Sequence, residues 1–429
     1  VYVGGTLPHI TPMSHTAPAD PMEHTTQDSA PVRPAGSAGT APGPETGRPA
    51  GAGRMLGVDL ARALAVYGMF AVHVGPSPES VDGLPALLLE LAQGRSASLF
   101  ALLAGVSLAL MCGRAPIERD TAGRLLRARI ATRAVLLLVL GTALTAIGST
   151  IWVIIPYYGL FFLLALPALG LATPALAGLA ALTALAGPVL SMAPRVVPPE
   201  WLDAVAAYDP LNQVSRHGLI ELAFAGGFPA VTWMAYVFAG MTLGRLDLAA
   251  EAVRRRLVRA GLALTAVGYG GSWLACTVFT DVRATMSAAA AAAQAAGVHY
   301  DVRYQGTALQ RLLTAAPHSD STFEITGNIG VAILVLVAAI ALLEKRPRLR
   351  GPATPLLAVG TMSLTVYVVH ILLIRYVEVE VYLGSPTAVL AVFAVAATAF
   401  AAAWKRFFRR GPLESLLHAA TVRVSELVR

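Results

Sequence analysis

Charge is what this sequence has least of. Only 13% of its residues are charged, where a soluble globular domain carries roughly a quarter. With 56% hydrophobic residues and a mean hydropathy of +0.64, that shortage excludes an ordinary soluble protein. Cysteine is almost missing: Cys112 and Cys276 form no metal-binding spacing. The topology below places them near opposite membrane faces, so they are not expected to pair. No His/Cys/carboxylate set has metal-ligand spacing, and no Gly-rich phosphate loop follows a strand. No metal is therefore expected. Strand-like alternation at a spacing of about ten residues is also absent, which argues against an outer-membrane barrel.

What recurs instead is apolar runs of about twenty residues, enough to cross a hydrocarbon core of about 30 Å. The expected fold class is an all-α polytopic membrane protein, with about ten transmembrane helices around a central cavity. The spans run roughly over 57–76, 95–113, 130–149, 151–172, 174–193, 227–245, 258–279, 325–343, 355–376 and 386–405.

Alternate connections are rich in arginine. One set is Arg114, Arg119, Arg124, Arg127, Arg129 and Arg133, and another is Arg245, Arg254, Arg255, Arg256 and Arg259. Further sets are Lys345, Arg346, Arg348 and Arg350, then Lys405, Arg406, Arg409 and Arg410. The intervening connections carry acids such as Glu79, Asp82, Glu378 and Glu380. By the positive-inside rule both termini are cytoplasmic, in a multi-pass protein of the cell membrane. The net charge of +7 then belongs to loops held inside, and no nucleic-acid partner is expected.

Residues 1–53, rich in Pro, Gly, Thr and Ala, read as a disordered cytoplasmic tail without the apolar core of a signal peptide. The membrane domain is expected over 54–410, with outer loops at 194–226 and 280–324. The second loop contains "MSAAAAAAQAAG", a strong helix former. These loops either cap an outward-facing cavity or are poorly ordered. Residues 411–429 read as an amphipathic helix on the inner membrane surface.

The first span, "VDLARALAVYGMFAVHVGP", carries an aspartate, an arginine and a histidine. Arg62 and His73 are eleven positions apart, hence within about 20° of one another around a helix, and Asp59 lies within about 60° of both. Asp59 and Arg62 sit near the cytoplasmic surface, and His73 lies about 16 Å further along the axis. Polar groups in a span normally face the bundle interior or a water-filled cavity. A structural i,i+3 ion pair and a hydrogen-bonded core histidine are the competing explanations. In the ninth span, His370 lies close to the depth of His73, on one face with Ser363 and Tyr367.

The stretch "GVDLARALAVYGMFAVHVGP" resembles the first motif of bacterial membrane proteins of the heparan-glucosaminide N-acetyltransferase and YeiB-like type. The resemblance continues through "GRSASLFALLAGVSLAL", "GGFPAVTWMAYVFAGMTLGRL", "EITGNIGVAIL", "GTMSLTVYVVH" and "RRGPLESLL", covering nearly all of the chain after the tail. The Arg62–His73 spacing is also similar to that of the broader acyltransferase-3 enzymes. The resemblance implies transfer of an acyl group, usually acetyl, from cytoplasmic acyl-CoA to an acceptor on the far side. The pattern departs at one point. In the heparan enzyme the corresponding end of the first span is Asn, and the active histidine lies in the following outer segment. Here the residue is His73, and 77–94 contain no histidine.

Under that reading His73 is the general base or an acyl-carrying nucleophile, and His370 orients or assists it. Asp59 and Arg62 form the donor-binding pair, with Arg62 on the phosphates of acetyl-CoA or bracing Asp59. Arg95 offers an acceptor-side or oxyanion contact, or is an interfacial anchor. His318, Glu324 and Asn328 bind the acceptor or cap a loop. The partners are the lipid bilayer, acyl-CoA and an extracytoplasmic sugar, glycolipid or metabolite, and a homo-oligomer is left open. A small-molecule or lipid transporter uses similar buried polar groups, and a noncatalytic scaffold leaves the matched histidines unexplained.

Overall fold

The computed structural model describes residues 55–149, 151–215, 217–295, 307–377 and 384–427. The expected tail over 1–53 lies outside the described residues, as do 296–306 of the second long connection, Glu378 and Glu380.

Among the described residues every regular element is helical. In hydrocarbon a chain must satisfy its own backbone N–H and C=O groups, and a helix does so within one segment. The membrane-forming helices are α1 (Leu56–Val74), α2 (Gly83–Ala92), α3 (Arg95–Met111), α4 (Thr121–Ala146), α5 (Ile155–Ala165) and α6 (Thr173–Leu190). Two short helices follow, α7 (Pro199–Tyr208) and α8 (Pro210–Ser215), then α9 (Ala230–Arg245). Next come α10 (Glu251–Thr265), joined by a π-helical turn over Ala266–Gly270 to α11 (Gly271–Val278), then α12 (Thr280–Ala295) and α13 (Ala308–Leu313). The chain ends with α14 (Thr322–Lys345), α15 (Thr354–Thr361), α16 (Ser363–Val377), α17 (Pro386–Phe407) and α18 (Pro412–Leu427). The alanine run expected to be helical is α12.

Among the described residues six helices are long and apolar enough to cross a membrane, and up to eight if each of two bent pairs counts as one span. This is a multi-pass membrane protein. The expected ten are not all there as full spans, for a local reason. The segment 151–172 starts its helix only at Ile155–Pro156 and stops before Pro167, leaving 11 residues. The segment 227–245 starts after Pro229 and has 16 residues. At about 1.5 Å per residue neither matches a core of about 30 Å. The bent pairs are α2 with α3, at 47°, and α15 with α16, at 81°.

Helices α1 and α14 are the most enclosed of the spans, whereas α10–α11 and α17 keep open apolar faces. Val135 and Val139 of α4, Leu182, Leu185 and Val189 of α6, and Val392 and Val395 of α17 are exposed. That is the surface a bilayer covers. At the centre α3 and α9 approach closely because α9 offers small residues at Gly240 and Gly244, the pattern that lets membrane helices touch backbone to backbone.

A Cβ at Gly240 would lie 1.9 Å from the carbonyl oxygen of Leu102, whereas one at Gly178 in α6 meets nothing within 4 Å. Gly240→Ala is therefore expected to destabilise by roughly 1–3 kcal/mol, and Gly178→Ala to be neutral or stabilising by up to about 1 kcal/mol. Thermal melting in detergent checks the pair, and equal melting of the two variants contradicts this packing.

Candidate functional site

The residues singled out from sequence fall into three groups. At the amino end of α1, the Arg62 guanidinium donates to Asp59 Oδ1 at 2.9 Å and to Ser107 Oγ of α3 at 2.8 Å. Asp59 is buried. Arg133 of α4 lies within electrostatic range of both Arg62 and Glu414. Close by in α18, burial together with Arg410 and Arg129 pushes the His418 imidazole below its ordinary value. The i,i+3 ion pair is thus present, inside a region with an excess of cations.

The second group is the histidine pair. His73 Nδ1 and His370 Nε2 are 3.0 Å apart, and their rings lie nearly parallel, with centroids 5.3 Å apart. Two residues 297 positions apart in sequence meet because α16 lies beside the carboxyl-terminal half of α1. Phe70 and Tyr367 pack their rings on His370 at 5.0 and 4.8 Å. Tyr367 is itself fixed, its hydroxyl accepting the Ile154 N–H at 3.1 Å. His370 is 2% exposed, while His73 is only half-buried, so His73 is the more accessible ring of the pair.

The third group gathers Arg95, His318, Glu324 and Asn328 into one network. Arg95 Nε donates to the Tyr269 hydroxyl at 2.8 Å, with its guanidinium over the same ring. Tyr269 donates to Asn328 Oδ1 at 2.5 Å, and Asn328 Nδ2 donates to Ser98 Oγ at 3.0 Å. Glu324 holds the approach to α14. Its Oε1 accepts the His318 N–H and its Oε2 the Asp320 N–H, both at 2.7 Å, and Ser319 Oγ donates to Oε2 at 3.1 Å. His318 and Asp320 have φ of 60° and 55°, a region non-glycine residues seldom adopt, and the carboxylate holds them there. Glu324 therefore braces this loop. His318 stacks on Trp233 and meets Trp152 edge-on. Trp233 Nε1 in turn donates to Asp320 Oδ1 at 2.8 Å.

A cavity of about 450 Å³ opens between the end of α4, the start of α5 and α8. It is lined by Thr142, Thr145, Ser149, Trp152, Tyr157 and His217, among others. None of the eight sequence-selected residues lines it, so it is not the expected central cavity, but its wall residue Trp152 touches His318. On its rim His217 Nδ1 is 2.7 Å from Glu221 Oε1, and that hydrogen bond raises the His217 pKa above its ordinary value.

Sequence reasoning did not single out Ser107, Tyr269, Trp233, Asp320 or Glu414 as functional. Each is an ordinary residue until a distant element meets it. Among the described residues no group of His, Cys, Asp and Glu is arranged to hold a metal ion.

Two family models match the chain. The model for "Heparan-alpha-glucosaminide N-acetyltransferase, catalytic" matches residues 54–274, and that for "Protein of unknown function (DUF418)" matches 279–424. No curated protein matches the chain closely enough to count as a relative.

Glu324→Ala leaves the His318 and Asp320 N–H groups without their acceptor, a loss of about 1–3 kcal/mol for each buried donor. A lower melting temperature and faster hydrogen exchange over 314–321 are expected, with Glu324→Gln intermediate. Unchanged exchange contradicts the brace. For His217, whose raised pKa belongs to the folded state, the stabilisation is complete below its unfolded value and is lost as pH rises through the folded one. The stability gap between wild type and Glu221→Gln, no more than about 1 kcal/mol for so exposed a pair, is expected to shrink as pH rises above the ordinary histidine value of about 6.5. A gap that widens with pH contradicts the assignment.

Proposed function

Because the chain belongs to the heparan-α-glucosaminide N-acetyltransferase catalytic family, we propose that it transfers an acetyl or other acyl group from acyl-CoA to an amine or hydroxyl acceptor across the membrane. The observation that carries this reading is the 3.0 Å contact of His73 with His370. With Nδ1–H of His73 donating to Nε2 of His370, the Nε2 lone pair of His73 is left as the base. His73 takes the proton of the acceptor N–H or O–H as its nitrogen or oxygen attacks the thioester carbonyl. The charge that His73 then gains strengthens its bond to His370. When the C–S bond breaks, His73 returns the proton to the thiolate that leaves. His370 keeps the reacting ring in one tautomer and orientation.

The donor side is the arginine-rich end, with both termini in the cytoplasm. The residues there fit a phosphate ligand. Arg62 is held in place by Asp59 and Ser107 with 22% of its side chain still exposed, and Arg133 adds a second guanidinium nearby. An extended pantetheine arm, on the order of 15–20 Å, is comparable with the rise of about 16 Å along α1 from Arg62 to His73. The acceptor, an extracytoplasmic sugar, glycolipid or metabolite, is received at the opposite end, where the half-buried Arg95 is braced through Tyr269 by the buried Asn328 and His318 lies beside the Trp152 wall of the cavity.

The test is acetyl-CoA binding and slow acetyl-CoA hydrolysis by the purified protein in detergent. His73→Ala is expected to lose about 10²–10⁴-fold in turnover while still binding donor. Arg62→Ala is expected to bind about tenfold or more weakly. Folded wild type that binds neither acetyl-CoA nor a longer acyl-CoA overturns the proposal in favour of transport.

A further inference from the structure

The helix that carries His370 begins at a sharp corner. Between Thr361 and Ser363 the axis turns by 81°, so α16 starts afresh, with first-turn N–H groups that have no partner inside the helix. Those groups are met from far along the chain. Glu414, in the first turn of the last helix, accepts the Leu364 N–H at 2.9 Å and the Thr365 N–H at 3.1 Å on Oε1. Its Oε2 accepts the Thr365 hydroxyl at 2.5 Å, and the oxygen of that hydroxyl accepts the Leu413 N–H at 3.1 Å. Thr365 is 3% exposed. A carboxylate on a helix N-terminus also opposes the positive end of the helix dipole.

The joint is built with little room. A Cβ on Gly411 would lie 2.1 Å from Glu414 Oε2 and 3.0 Å from Thr365 Oγ1, so the chain turning into α18 has glycine where the carboxylate must pass. On its other side Glu414 is in electrostatic range of Arg133, which is also in range of Arg62. The capped residues stand only five to six positions before His370, and Tyr367 and His370 follow on the same short helix. Any slide or rotation of that first turn moves the imidazole relative to His73.

We propose that Glu414 is a positioning residue: by hydrogen-bonding the first turn of α16 it sets His370 against His73, which makes the carboxyl-terminal helix part of the site. The geometric claim is independent of the reaction above, and only its effect on turnover rests on that reading.

The geometric test uses full-length protein with Cys112→Ala, Cys276→Ala, His73→Cys and His370→Cys, treated with dibromobimane, which fluoresces when it bridges two nearby thiols. Adding Glu414→Ala is expected to slow bridging about tenfold, and Glu414→Gln, which keeps an acceptor for the two N–H groups, to restore it to within about threefold. Leu417→Ala, which trims the same helix elsewhere, is expected to leave bridging unchanged. If Glu414→Ala bridges at the parental rate, or Leu417→Ala is slowed as much as Glu414→Ala, Glu414 does not position the pair. Failure of Glu414→Gln to restore the rate also overturns the proposal. Where Glu414→Ala does not fold, Glu414→Asp replaces it. With reach cut by one methylene, its bridging is expected to be slow, and a parental rate overturns the proposal.

In protein with both histidines intact, acetyl-CoA turnover is expected to fall about tenfold in Glu414→Ala, with less than about twofold change in KM, and to return in Glu414→Gln. A wild type without acyl-CoA activity defeats the transferase reading alone, since the bridging result still decides the role of Glu414.

Discussion

The site depends on a helix that changes direction. Gly360, the last glycine before the corner, lies so close to α1 that a Cβ there would be 1.8 Å from the Asp59 carbonyl oxygen. His370, beyond the corner, meets His73. The chain therefore touches α1 at both ends of its polar stripe, and α16 runs in the same direction as α1. An unbroken helix over 354–377 has one axis and cannot turn by 81° between these contacts. The cost of the corner is a set of unpaired N–H groups away from water, which in a low-dielectric interior is large unless an acceptor is supplied. The carboxylate of Glu414 supplies it.

The same accounting explains the other buried charges. Asp59 is buried beside Arg62, and Arg62 is shared with Ser107, so neither charge is left alone in an apolar bundle. Glu324 uses both oxygens on the loop before its own helix, and Ser321 Oγ accepts the Glu324 N–H at 3.0 Å, so the carboxylate and the hydroxyl close the helix start together. What distinguishes His73 is that its ring is half-buried and bonded at one nitrogen to another titratable ring rather than to backbone. A group satisfied by backbone has a fixed structural task. A pair of imidazoles can pass a proton and keep its geometry.

Much of this was legible in the sequence, and the limits are physical. Hydropathy located the six long apolar helices among the described residues, because a twenty-residue apolar run is a local property, but it did not find α2. It overcounted full spans at 151–172 and 227–245, where Pro156, Pro167 and Pro229 shorten the helix within an apolar stretch. Periodicity placed Arg62 and His73 on one face, and depth matched His73 to His370, whose contact the structure contains. Neither argument reaches the corner at Met362, since the residues that hold it come from α18, about fifty positions away. Nor does periodicity distinguish an acceptor-binding Glu324 from one that braces a loop. That depends on N–H groups whose direction is fixed by the left-handed backbone at His318 and Asp320.

The two family matches meet near residue 275, yet the structure has no corresponding seam. The histidine pair takes one ring from each matched stretch. The polar network likewise joins Arg95, Ser98 and Tyr269 of the first to Asn328 and Glu324 of the second. The span α14, from the second stretch, is as enclosed as α1 from the first and packs directly against it. A stretch that supplies one ring of the histidine pair, part of the polar network and one of the two most enclosed long spans is not an appendage to the first. The candidate site is therefore built from both matched stretches, 54–274 and 279–424, and neither contains it alone.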